Sequence, residues 1–309
     1  MTPGIDRRTF IKRVGQAGGL IAAGGTIESL LAACGNVSTG NASTPVAGVT
    51  PVGNAGLKSP GILEWGADFV SGAPYVFKDP KNPANLVGFE VEIMQAVADL
   101  MGVTQLQVEV CYGQLDQALA ANQFDFVFNG WEITDARKPV QLFSDPYYRY
   151  GQQMVVRADD PRFTQYNKDS NISLSVLYGT TVGTGDGYRA ATILQGYPQI
   201  TTKLYNGDLP FDDTKQKKLD ATFLDYPIVA YYVLGAGPGG VADPSLKPIG
   251  KPLFLDTYVA GFNKSNHNAP TLLAELNKAL GILKKNGTLH RIYVKWDMWN
   301  DQQAAIGIV

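Results

Sequence analysis

Phe124-Asp125-Phe126-Val127-Phe128 reads as a short buried strand, and it runs straight into Asn129-Gly130-Trp131-Glu132-Ile133-Thr134-Asp135-Ala136-Arg137. Upstream, Gln114 to Ala121 has the spacing of a short helix, and Leu106, Val108 and Val110 alternate as a strand. Further back, Gly88-Phe89-Glu90 opens a helix whose apolar positions Val91, Met94, Val97, Ala98 and Met101 follow the 3.6 period, and Gly102 ends it. Strands that alternate with helices predict parallel sheet and an α/β class. The second half repeats the style. Thr181-Val182-Gly183 is a short strand entering a Gly-rich turn and then a helix through Ala190, Ile193 and Leu194. Leu219 to Leu224 is a strand ending at Asp225, and Pro227 suits the first turn of the helix that follows. Near the end, Pro270 starts an amphipathic helix through Leu272, Leu273, Leu276, Leu280 and Leu283. Gly287 closes it, and Thr288 is placed to cap a last helix through Ile292 and Trp296.

Composition narrows the function. The 309 residues are 45% hydrophobic and 17% charged, enough for one large domain or two modest ones with real cores. A formal net charge of -2 lacks the basic surplus of a nucleic-acid binder. No stretch approaches the roughly 18 uninterrupted apolar residues of a membrane span. Of two cysteines, Cys34 falls in an N-terminal processing motif, which leaves Cys111 as a lone thiol and provides no disulfide framework. Following the Leu106–Val110 alternation, Cys111 reads as buried packing. The two histidines, His267 and His290, lie in a polar stretch and on a surface helix, so zinc and Ser/His or Cys/His chemistry are poorly supplied.

Asp6-Arg7-Arg8-Thr9-Phe10-Ile11-Lys12 resembles a twin-arginine export signal, and Gly15 to Ala33 is too weakly apolar to stay in a bilayer. Leu31-Ala32-Ala33-Cys34 resembles a lipobox, which implies removal of residues 1–34 up to a lipidated Cys34. Each buried acyl methylene adds about 0.8 kcal/mol, so two or more chains give stable anchoring. Residues 35–59, rich in Gly, Asn, Ser, Thr, Ala and Pro without apolar period, read as a flexible tether.

Four further stretches join the Asn129–Arg137 segment. They are Val87-Gly88-Phe89-Glu90-Val91-Glu92, Phe143-Ser144-Asp145-Pro146-Tyr147-Tyr148, Leu219-Asp220-Ala221 with Asp225, and Asn286-Gly287-Thr288 with Ile292-Tyr293-Lys295-Trp296. In order and spacing these resemble the family 3 extracellular solute-binding proteins, the amino-acid receptors of ABC importers, from about Ile62 to Trp296. The resemblance implies a type II periplasmic-binding-protein fold. In it two α/β lobes, each a central sheet flanked by helices, are joined by a two-strand hinge. Residues 60–150 with 256–309 would form lobe 1, and 151–255 lobe 2. Closure on ligand would be a hinge motion.

A free amino acid is a zwitterion, so its receptor needs a cation for the carboxylate and an anion for the ammonium. The resemblance places Arg137 on the carboxylate clamp, a role that suits the planar, two-pronged guanidinium. It places Asp225 on the ammonium, though a helix N-cap is the plainer role for that residue. Tyr112 is implied as an aromatic stacking on the ligand, and Gly130 and Trp131 as lining residues. Asp68 stands near an acidic position used for a ligand's side-chain amine. Gly72 stands where many relatives carry an aromatic, which leaves the wall to Trp65, Tyr75 or Trp131. Glu132 departs from the usual Ser or Thr beside the carboxylate site. Either only its backbone N–H contributes, or its side chain receives a cationic group. In Gly183-Thr184-Gly185-Asp186-Gly187-Tyr188-Arg189 the backbone around Gly187 offers N–H groups to an anion, and Arg189 is either a second carboxylate partner or solvated. Gly235 to Gly240 reads as a plain loop.

Acids Asp68, Glu132, Asp186 and Asp225 against Arg137 and Arg189 favour a polar or basic amino acid over glutamate or aspartate. The expected protein is a lipid-anchored monomer working with a permease and its ATPase, with no metal, cofactor or nucleic acid. Two other readings stand beside it: a cyclohexadienyl-type dehydratase on the same fold, with Glu132 as the acid, and a ligand-sensing lipoprotein.

Overall fold

The protein is described by a computed structural model covering residues 52–309. The expected export signal, Cys34 and the expected tether up to residue 51 lie outside the described residues. From β1 (Ile62–Ala67) the chain makes a small ribbon of β2 (Phe77–Lys78) and β3 (Leu86–Val87), then α1 (Phe89–Met101) and β4 (Thr104–Glu109). The helix α2 (Leu115–Ala120) leads to β5 (Phe126–Val127) and β6 (Gln141–Phe143). Next come β7 (Tyr148–Arg157), β8 (Thr181–Gly185), α3 (Arg189–Leu194), β9 (Thr201–Tyr205) and α4 (Phe211–Lys215). They are followed by β10 (Ala221–Asp225), α5 (Tyr226–Tyr232) and β11 (Leu246–Tyr258). The chain returns through β12 (Gly261–Asn263), α6 (Ala269–Lys285) and α7 (Thr288–Lys295).

Two five-stranded sheets result, ordered β4-β1-β5-β12-β6 and β11-β7-β10-β8-β9. The α/β class and two-sheet architecture are as expected, but neither sheet is wholly parallel. The sequential βα units pair in parallel: β1 with β4 and β5, and β8 with β9 and β10. The strands that enter or leave a sheet at a crossing run antiparallel: β12 against β5 and β6, and β7 against β10 and β11. The chain crosses between the sheets twice, from β6 to β7 and from β11 to β12. The long strands β7 and β11 lie side by side along that path, with Tyr148 paired to Tyr258 at their sheet-one end. The β11 register shifts twice, between Ile249 and Leu253 and again before Asp256, which bends the strand.

Burial follows the apolar pattern. Phe89, Ile93, Met94, Val97 and Met101 of α1 and Leu272, Leu276, Leu280 and Leu283 of α6 are buried in one core with Trp65, Phe126, Phe128 and Phe262. A second core under the other sheet centres on Val156, Leu177, Val182, Leu194, Phe223 and Ile249. Three local expectations need correction. Cys111 is exposed, because β4 is an edge strand that ends at Glu109 and Cys111 lies beyond it. Thr288 is the first residue of α7 rather than its cap; Gly287 holds the N-cap position in left-handed conformation, and Thr288 Oγ1 accepts from Arg291. Residues 52–59 of the expected tether pack and bond to the fold. Val52 is buried, Gly53 N–H donates to Glu275 at 2.7 Å, and Lys58 N–H and Nζ donate to Asp125 and Glu64 at 2.7 and 2.8 Å.

The start of α1 positions the turn after β5. Glu90, wholly buried in its first turn, accepts from Gly130 N–H at 2.7 Å and from the Tyr147 hydroxyl, while its Oε2 has no partner. Burial pushes the Glu90 carboxyl up to about 8. Gly88, at φ 145°, lets the backbone of Tyr75 come so close that an added Cβ would lie 1.9 Å from its carbonyl oxygen.

Gly88→Ala should therefore cost roughly 3 kcal/mol or more in a denaturant melt. Gly102→Ala, also at positive φ but with open space around it, should cost about 1–2 kcal/mol. Equal losses would remove the steric argument. For Glu90 the folded value lies above the unfolded one, so its contribution is complete below about pH 4.5 and lost as pH rises toward about 8. The melting temperature of Glu90→Gln relative to the parent should rise between pH 5 and pH 9; a constant difference would mean that Glu90 is ionised at both.

Candidate ligand-binding site

The parallel strands of both sheets point their C-terminal ends at one crevice, where open α/β sheets present ligand groups. Asp68 follows β1, Asn129 to Glu132 follow β5, Tyr188 follows β8, and Asp225 ends β10. With Tyr75 and Tyr112, the residues Asp68, Asn129, Gly130, Glu132, Tyr188 and Asp225 line a narrow crevice that is partly open to solvent. The two sides touch across it, the Tyr112 and Tyr188 rings meeting edge-on at 5.0 Å.

Each acid is held differently. Asp68 organises its own loop: Oδ1 accepts from Val70 N–H at 2.8 Å, and Oδ2 accepts from the Ser71 hydroxyl at 3.1 Å and Tyr112 N–H at 3.2 Å. Asp225 stands at the N-cap position of α5 but makes no capping bond. Its carboxylate instead accepts from Gln152 Nε2 at 2.7 Å and from the Tyr258 hydroxyl. Glu132, 2% exposed, accepts from Tyr150 at 3.0 Å and Tyr112 at 3.2 Å. Tyr150 on β7 stacks on Tyr258 of β11 at 4.0 Å, and Tyr75 shares a 2.7 Å hydroxyl contact with Tyr258. Stacked tyrosines from both crossing strands thus link the two acids. Burial raises the Glu132 carboxyl, with Asp225 adding to the rise and Arg137 opposing it. Burial also raises Asp225, against the hydrogen bonds from Tyr258 and Gln152.

Asp68, Tyr75, Tyr112, Gly130, Glu132 and Asp225 line the crevice; Arg137, Trp131, Gly187 and Arg189 do not. Arg137 is 7% exposed, its guanidinium lying 3.2 Å above the Trp131 ring. Its Nη1 donates to the Glu132 carbonyl at 3.1 Å and to Oε2 at 3.4 Å, and its Nε to both Asp116 oxygens at 3.3 Å. Trp131 donates to Gln141 at 2.9 Å and supports Arg137 from beneath. Arg189 makes a long ion pair, 3.5 Å, with Asp256. Gly187 passes the edge of Tyr112, 3.9 Å from an added Cβ. Of the proposed wall residues, Trp65 is in the core, donating to Gln105, and only Tyr75 reaches the crevice.

Sequence reasoning missed Tyr188, Asn129, Ser71 and Ile228 in the lining, and Tyr150, Tyr258 and Gln152 behind it. Tyr188 lay in the Gly-rich turn that drew attention to its neighbour Arg189. Tyr150 and Tyr258 carry no separate signal, since both sit in strands where tyrosine also fills the core. Among the described residues no group of His, Cys, Asp and Glu is arranged to hold a metal ion.

A family profile described as "Bacterial extracellular solute-binding proteins, family 3" matches residues 69–298. The ABC transporter arginine-binding protein 1 of Escherichia coli K12 is 25% identical over 218 residues, 68% of this chain and 82% of that protein. A solved ancestral arginine-binding protein bound to arginine is 29% identical with a TM-score of 0.64, covering 76% of this chain and 98% of that one. The ancestral amino acid-binding protein AncCDT-1, described as a precursor of cyclohexadienyl dehydratase, is 26% identical with a TM-score of 0.64, covering 76% of this chain and 95% of that one. The profile spans most of the described residues and the two-sheet fold agrees with it: the chain belongs to the family 3 bacterial extracellular solute-binding proteins.

Proposed function

We propose that this protein is the lipid-anchored substrate-binding component of an ABC importer. It captures a polar or basic amino acid between lobe 1 (60–150 with 256–309) and lobe 2 (151–255) and delivers it to a permease driven by its ATPase. In this reading it is exported as a monomer by the twin-arginine-type signal and held at the membrane through Cys34. The observation that carries the reading is the convergence of Asp68, Glu132 and Asp225 with Tyr75, Tyr112 and Tyr188 on one crevice. Carboxylates and aromatic faces are the chemistry that receives ammonium and guanidinium groups. Asp225, from the second sheet, is the partner for the ligand's ammonium, and Asp68 and Glu132 face it from the first. The arginine-binding relatives support a basic ligand.

A dehydratase acting on cyclohexadienyl acids would use Glu132, whose raised carboxyl suits a proton donor. The same crevice disfavours such a substrate. No cationic side chain lines it to receive the carboxylates of such a substrate, and Asp68 and Asp225 stand there instead. Binding without chemistry is therefore the better reading.

Thermal-shift measurements across the amino acids should rank arginine, lysine or a polar neutral ligand above glutamate and aspartate. At 100-fold excess over Kd the stabilisation should be about 2.7 kcal/mol. No shift with any amino acid, or glutamate first, would sink the proposal. Asp225→Asn should weaken the preferred ligand by two orders of magnitude or more in calorimetry, and unchanged affinity would remove Asp225 from the ammonium site. Cys34→Ala should move the expressed protein from the membrane fraction to the soluble one; continued pelleting would dismiss the lipid anchor.

A further inference from the structure

Glu132 lies between the crevice and the only guanidinium that the family pattern assigns to a ligand carboxylate. A carboxylate is best gripped by two parallel N–H donors, and a guanidinium offers two such forks, one along Nη1 and Nη2 and one along Nε and Nη2. In Arg137 each fork has one prong engaged: Nη1 by the carbonyl and Oε2 of Glu132, Nε by Asp116. Its flat face is covered by Trp131. Glu132 is not free to drift aside, since Tyr150 and Tyr112 each donate to its carboxylate. A ligand in the crevice therefore meets the carboxylate of Glu132 where a Ser- or Thr-bearing relative would expose the cation behind it.

The rest of the lining is Asp225, Asp68, three tyrosines, Ser71, Asn129, Gly72, Gly130 and Ile228. Its charged side chains are all acidic and none is a cation, so it favours positive charge over a carboxylate. We propose that Glu132 is a specificity-determining residue that makes the crevice select small organic cations without reward for an α-carboxylate. The substrate class then extends to decarboxylated bases, guanidinoalkylamines and alkyldiamines, which rank equal to or above the corresponding amino acid. The inference rests on the crevice being the ligand site proposed above.

The test compares arginine with agmatine, which is arginine lacking its α-carboxylate, and lysine with 1,5-diaminopentane, by calorimetry on the purified full chain. The parent should bind agmatine at least as tightly as arginine. Glu132→Thr should shift the ratio of the two dissociation constants at least tenfold toward arginine. Glu132→Gln keeps the shape and removes the charge, and should shift it in the same direction; thermal melts confirm that both variants fold. If arginine binds the parent ten times tighter than agmatine, the inference is overturned while the receptor reading stands. A ratio that neither variant moves overturns the assignment to Glu132. If none of the four compounds binds parent or variants, both the inference and the basic-ligand receptor reading fall.

Discussion

Two carboxylates taken out of water on opposite sides of one crevice are the constraint to which the surrounding structure answers. Glu132 and Asp225 are nearly inaccessible and of like charge, so each needs donors to be tolerated at all. The donors come from the strands that join the two sheets: Tyr150 on β7 for Glu132, and Tyr258 on β11 with Gln152 on β7 for Asp225. The tyrosine rings stack, which gives the hydroxyls fixed positions at little entropic cost. A network satisfied in this way is specific, because removing one member leaves a buried acid without its partner.

That arrangement ties the site to the mechanics of the fold. Among the described residues the chain passes between the sheets only at Tyr148 and Tyr258, the ends of β7 and β11, and the same strands carry the donors of the crevice acids. A change of charge or contact at Glu132 or Asp225 therefore reaches the crossing strands through one hydrogen bond. Bilobed receptors close by hinge bending, in which ligand biases an equilibrium by its differential contacts in the two states. In the proposed receptor, the bend in β11 and the paired tyrosines would place that equilibrium next to the charges a cationic ligand neutralises.

Behind the crevice a second layer fixes the motif after β5. Glu90 holds the Gly130 backbone from below, Gly88 permits the close approach of Tyr75, and Trp131 supports Arg137. None of these side chains except Tyr75 reaches the crevice. They explain how a nine-residue turn keeps one geometry while its only cation is bound internally. Most of the motif is thus held by internal bonds, and Glu132 is its one charged member in the crevice lining, beside Asn129 and Gly130.

The α/β class and the major helices were legible because burial on one helix face or along a central strand imposes a period that local residue order must display, whereas the family pattern was carried by the quoted motifs and their spacing. Asp68, Glu132 and Asp225 were brought out by the family resemblance instead, with the strand-end position of Asp225 in agreement. Periodicity failed for Cys111, where alternation could not reveal an edge strand, and for residues 52–59, whose polar composition concealed specific bonds to Glu275, Asp125 and Glu64. It also failed to separate Tyr150, Tyr188 and Tyr258 from core tyrosines. By itself the sequence determined which groups carry charge and which elements form. Only the tertiary structure decided that Arg137 directs its donors to Glu132 and Asp116, because hydrogen-bond partners are chosen by packing and leave no periodic trace.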